Sequence, residues 1–176
     1  IVLNNGYLEI STLININNTE VTKLYRIDLE STSIFVEYDF QSMARSRETT
    51  RMCAATMLSQ NSVNDSYQFR CKTGGSTREK YDLDTSFEHG SPISQRVSSN
   101  SGLPASDGII EILVNQFVVK ISWRPDRVSY YPLITNLNDK AGNLVRLHLS
   151  NQEVDDTAKF EGFYNVLSYC LTFGTK

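Results

Sequence analysis

Long hydrophobic runs are missing from this 176-residue chain. No stretch approaches eighteen consecutive apolar residues, so no membrane-spanning helix and no membrane insertion is expected. A basic excess is missing too: 17 Lys and Arg stand against 20 Asp and Glu, a formal net charge of -3. Residues 1–88 hold 9 basic against 12 acidic side chains and residues 89–176 hold 8 of each. That balance leaves no broad electrostatic footprint for nucleic acid, and no nucleic-acid partner is expected. Histidine is reduced to His89 and His148, and cysteine to Cys53, Cys71 and Cys170, at spacings that make no zinc site.

The motifs of common chemistries are also absent. No Gly-x-Ser-x-Gly elbow occurs, and the Ile1-Val2 start is not followed by the Gly-Asp-Ser-Gly-Gly of an activated serine protease. Gly74-Gly75 lacks the Lys-Ser/Thr that a phosphate loop requires, and Glu153, Asp155 and Asp156 do not have EF-hand spacing. Asp82, Asp84, Asp126 and Asp139 form no recognisable glycosidase pair in sequence. The chain is therefore expected to be non-catalytic, with no cofactor and no metal. It opens on Ile1 rather than Met, which reads as a segment processed or excised from something longer.

What is present is alternation. Leu8, Ile10, Thr12, Ile14 and Ile16 share one parity while Glu9, Ser11 and Asn15 take the other. Ile34, Val36, Tyr38 and Phe40 repeat the pattern around Glu37 and Asp39, and Phe117, Val119, Ile121 and Trp123 repeat it around Lys120 and Ser122. Period two marks half-buried strands, whose side chains point alternately to opposite faces. Strands are expected at 7–16, 23–29, 33–40, 67–73, 109–114, 117–123, 128–135, 144–149 and 163–173, with shorter ones near 80–83 and 93–97. Residues 41–60 fit either a thinly amphipathic helix or a turn at 46–49 followed by a strand over 50–58. The strand is preferred, as the hairpin partner of 67–73. Asn115-Gln116 is read as a tight turn between two strands, while 136–143 and 150–157 are read as loops. Residues 73–107, rich in Gly, Pro and Ser, form a long loop of the kind that is usually functional.

Ten or eleven short strands without regular helices predict one all-β domain over residues 1–176, most simply an antiparallel two-sheet sandwich of jelly-roll type. Val36–Phe40, the Ile109–Trp123 pair and Phe160-Glu161-Gly162-Phe163 are similar to stretches of lectin-like jelly rolls of the laminin-G kind. That resemblance implies the same sandwich and brings no calcium-site or sugar-site motif with it. A closed, lipocalin-like barrel is the alternative, although the Gly-x-Trp entry of lipocalins is missing.

Candidate site residues cluster in one turn: Trp123, Arg124, Asp126 and Arg127, with Tyr130 and Tyr131 after it. Rings offer apolar area and the charged groups give direction, the combination used to hold sugars and proteins. Against this, Trp123 also fits the inward face of its strand. Arg45, Arg47 and Arg51 form a second cluster suited to an anion or, more simply, to solvent. Asn17-Asn18-Thr19 and Asn64-Asp65-Ser66 are glycosylation sequons in polar stretches, at Asn17 and Asn64. Cys53 and Cys71 flank a polar hairpin loop and are expected to form a cross-strand disulfide worth about 3 kcal/mol. Together these features point to a secreted or surface-exposed recognition module. It would bind a glycan or protein partner through loops at one end of the sandwich. A carrier of a small apolar ligand and an oligomeric viral attachment or structural protein are the alternatives.

Overall fold

A computed structural model describes residues 1–16, 19–40, 51–59, 68–72, 74–82, 107–114, 116–124, 131–139, 142–150 and 166–175. Among them there is no helix. Twelve strands follow one another: β1 (Val2–Asn4), β2 (Tyr7–Ile16), β3 (Thr19–Asp28), β4 (Ser33–Phe40), β5 (Arg51–Ser59), β6 (Gln68–Cys71), β7 (Glu79–Asp82), β8 (Ile109–Val114), β9 (Phe117–Ser122), β10 (Tyr131–Asp139), β11 (Gly142–Ser150) and β12 (Val166–Thr175).

Nine of them make one large antiparallel sheet in the order β1-β2-β3-β4-β12-β9-β8-β6-β7, and three make a small sheet, β10-β11-β5. The large sheet ends in β1 on one side and β7 on the other and does not close. The closed-barrel alternative is thereby overturned. The first four strands form a meander because local chemistry turns the chain. Asn5 (φ 35°) and Gly6 (φ 86°) supply the two left-handed residues of a two-residue hairpin turn. After β3, the Asp28 carboxylate accepts from the Glu30 amide (2.9 Å) and the Ser31 hydroxyl (2.7 Å), bending the chain into β4. β12 then enters between β4 and β9, and the Thr32 carbonyl accepts from the Phe173 amide at 3.0 Å.

One buried apolar cluster draws on both sheets. Val21, Val36, Tyr38, Phe40, Phe69, Cys71, Ile110, Ile112, Ile121, Trp123, Leu167, Tyr169 and Leu171 come from the large sheet or its margin, and Ala54, Leu147 and Leu149 from the small one. The cluster follows the alternation: Tyr169 stands opposite Val36, Leu171 opposite Ile121, and Phe69 opposite Ile112. In β4, β6 and β12 the buried residues fall on every second position, and the intervening ones form an outward face.

Three expectations change. Residues 51–59 do form a strand, but β5 pairs with β11 in the small sheet while β6 pairs with β7 and β8 in the large one. Cys53 and Cys71 thus lie in different sheets, all three thiols are free, and the expected Cys53–Cys71 disulfide is not formed. The loop read at 136–143 is mostly strand. β10 and β11 pair from Tyr131–Ser150 to Asp139–Gly142, around a connection of only two residues. Pro132 is tolerated there because β10 is an edge strand. The strand expected at 93–97 and most of the 73–107 loop lie outside the described residues.

Candidate functional site

The outward face of the large sheet carries an unbroken polar row. Reading across the strands, Lys80 (β7) stands opposite Arg70 (β6), Arg70 opposite Glu111 (β8), Glu111 opposite Lys120 (β9), Lys120 opposite Thr172 (β12), and Thr172 opposite Ser33 (β4). Such cross-strand neighbours sit roughly 5 Å apart, close enough to interact directly. Arg70 Nε donates to Glu111 Oε2 at 2.5 Å, and the Ser33 and Thr172 hydroxyls lie 3.4 Å apart. Among the described residues neither Lys80 nor Lys120 has a carboxylate partner at ion-pair distance.

A second row runs two residues along the strands. Glu9 (β2) faces Arg26 (β3), Arg26 faces Phe35 (β4), Phe35 faces Cys170 (β12), and Cys170 faces Ser122 (β9). The Arg26 guanidinium lies 5.7 Å from the Phe35 ring centroid, and its Nε is 3.5 Å from Glu9 Oε2. This is a flat cation held over an aromatic face and steered by a carboxylate.

Two grooves open on this face. The first, about 490 Å³, is lined by Tyr7, Glu9, Arg26, Asp28, Ser33, Phe35 and Cys170. The Ser31 hydroxyl and the Glu30 amide hold the Asp28 carboxyl below its ordinary pKa, so it is ionised at neutral pH. The second, about 590 Å³, is lined by Arg70, Lys80, Glu111, Leu113, Val118, Lys120, Thr172, Gly174 and Thr175. They approach each other where Ser33 meets Thr172. The arrangement offers hydrogen-bond donors, acceptors and the rings of Tyr7 and Phe35 over a polar track. Among the described residues no group of three or more His, Cys, Asp or Glu side chains could hold a metal.

The turn favoured by the sequence fares differently. Trp123 is 8% exposed and belongs to the buried cluster, so its ring is not available to a ligand. Its amide donates to the Gly108 carbonyl at 2.8 Å, which extends the β8–β9 ladder by one step and fixes the indole inward. Arg124 is exposed. Asp126, Arg127 and Tyr130 lie outside the described residues, and Tyr131 opens β10, where only the backbone is described. The sequon residues Asn17 and Asn64, Arg45 and Arg47 of the basic cluster, His89, and the acidic residues 153–156 also lie outside them. His148 stands opposite Cys53 in the small sheet. The face residues escaped sequence reasoning because they are scattered from position 7 to position 175. Alternation alone signals which of them point outward; only the strand order puts them side by side.

No protein-family model matches the chain, and a search of curated proteins finds no match.

Proposed function

We propose that the chain is a non-catalytic recognition module, a jelly-roll-like two-sheet sandwich, that binds a glycan across the outward face of its large sheet. One observation carries the reading: the continuous polar row from Lys80 to Ser33, flanked by two grooves and by the Arg26–Phe35 stack. Sugars present hydroxyls at short intervals on an otherwise apolar ring. A track of charged and hydroxyl donors and acceptors beside an aromatic face complements both aspects. The rigidity of paired strands favours this, because side chains on a sheet are held in fixed relation to each other.

A glycan array followed by calorimetry on the strongest hit tests the reading. Phe35→Ala and Arg26→Ala are each expected to weaken binding by about tenfold, the ordinary effect of removing an aromatic or arginine contact. Replacement of residues 125–130 by a Gly-Ser linker is expected to leave affinity unchanged. The reverse pattern, with silent face variants and a damaging loop exchange, would return the site to the loop end near Arg124.

A secreted or surface-displayed setting is part of the proposal, supported by the two sequons and no longer by a disulfide. Intact mass of protein purified from its natural source is expected to show glycan on Asn17 or Asn64. Bare asparagines at both would remove that support.

A further inference from the structure

We infer that the groove between β7 and β12 is a subsite for an acidic oligosaccharide, one bearing a carboxylate on successive sugars; this rests on the glycan-binding reading above and names the ligand class. Lys80, Arg70 and Lys120 surround a single carboxylate, Glu111, so the groove holds two net positive charges in a chain whose net charge is -3. The three cations occupy one cross-strand row. Glu111 engages Arg70 from one side at 2.5 Å, which fixes the guanidinium in place, and leaves both lysines without a carboxylate partner among the described residues. At roughly 5 Å per strand, Lys80 and Lys120 stand three strands, about 15 Å, apart. An extended ligand with repeated negative groups meets both; a single small anion meets one.

The remaining lining favours a saccharide over other polyanions. Thr172 and Thr175 contribute hydroxyls, while Val118 and Leu113 supply a small apolar floor. Among the described residues no aromatic side chain lines this groove, and those residues offer no platform on which nucleic-acid bases could stack. The acidic balance of the chain opposes the approach of a duplex or an anionic membrane, whose charge extends well beyond the groove. Gly174 leaves room in the groove: a Cβ there would meet nothing within 4 Å, so glycine is not required for packing at this point.

The probe is a hexamer of uronic acid, with its carboxyl-reduced neutral counterpart as the matched control, each titrated calorimetrically into the whole chain. The uronate hexamer is expected to bind at least about fivefold more tightly than the reduced one, with the difference shrinking in added salt. Lys80→Ser/Lys120→Ser is expected to remove that preference, about five- to tenfold for one exposed and one half-buried charge contact. Gly174→Leu fills the groove without disturbing the core and is expected to abolish uronate binding at an unchanged melting temperature. It keeps the test informative should the double variant fold poorly. If both hexamers bind equally, the acidic-ligand inference falls while the glycan-binding reading stands. If the uronate prefers the protein but neither variant alters that preference, the assignment to this groove falls. Should no saccharide on the array or in these titrations bind, the parent reading fails and the inference with it.

Discussion

Lys23 is the residue where the chain departs furthest from simple patterning. It stands on the inward parity of β3, opposite Tyr38, with its Nζ 4.7 Å from the Tyr25 ring centroid and 4.8 Å from that of Tyr38. Burial pulls its pKa down, but hydrogen bonding to the two tyrosines and their fields outweigh this and leave it above the ordinary 10.5. Nearby Tyr169, 3% exposed, is pushed well above the ordinary 10.0, first by burial and then by Tyr38 and Tyr25. Both groups hold their protons more tightly when folded than unfolded. Their contribution is complete below about pH 10 and is lost as pH rises through the folded values. Urea midpoints are expected to fall steeply above about pH 10 in the parent and less steeply in Tyr169→Phe. An identical alkaline limb in the two proteins would remove Tyr169 from the account. The cysteines are graded in a similar way. Cys53 is exposed, whereas burial and the fields of Glu79 and Asp107 raise the Cys71 thiol. A maleimide is expected to label Cys53 in the folded protein and Cys71 only after denaturation, as peptide mapping would show.

Among the elements, the β8–β9 hairpin shows what a sequence can and cannot convey. Its strands were legible from alternation, and their antiparallel register, Ile109 opposite Ser122 through Val114 opposite Phe117, is the tight hairpin expected around Asn115-Gln116. Its anchoring was not legible. Asp107 Oδ1 accepts from the Ile109 amide at 3.3 Å, while Arg78 from far upstream donates to Asp107 Oδ2 at 2.5 Å and to the Ile109 carbonyl at 3.4 Å. The two Arg78 contacts join residues 29 and 31 positions apart, and no local propensity encodes them. Arg78→Ala is expected to lower stability by about 1–3 kcal/mol, the usual cost of stranding a half-buried charged partner, measured by urea unfolding. Gly108, buried and at φ 69°, is a conformational requirement at the same corner. Gly108→Ala is expected to cost about 1–2 kcal/mol in the same assay, since an L side chain resists that backbone region. The Asn5-Gly6 hairpin is, by contrast, legible as an Asn-Gly pair, although the clear alternation that marks a strand starts only after it, at Tyr7. The β5–β6 hairpin failed for the opposite reason: both strands exist, but proximity in sequence did not decide pairing.

For the whole molecule, the candidate site was the least legible feature. Trp123, the most conspicuous residue in the sequence, is spent on the core, while the polar row is assembled from six strands whose order no alternation pattern reveals. The sheets share one buried cluster, in which Leu147 and Leu149 of the small sheet are 0% exposed. Leu147→Ala is expected to cost about 3–5 kcal/mol, by lost burial and the cavity left behind. Unfolding followed by tryptophan fluorescence and by circular dichroism is expected to remain a single coincident transition, whereas two separated transitions would show that the sheets melt independently. The position of β12 sets the order of events in time. Residues 166–175 lie between β4 and β9, and the Thr32–Phe173 contacts close a loop of 141 residues. On a ribosome, β1–β4 can curl into their meander early, but among the described strands only β12 joins the two halves of the large sheet, and it is made after all the others. Joining them then carries the entropy of a very long loop, which places the chain among slow folders. Meanwhile the bare edges of β4 and β9 stand open to strands from other nascent chains.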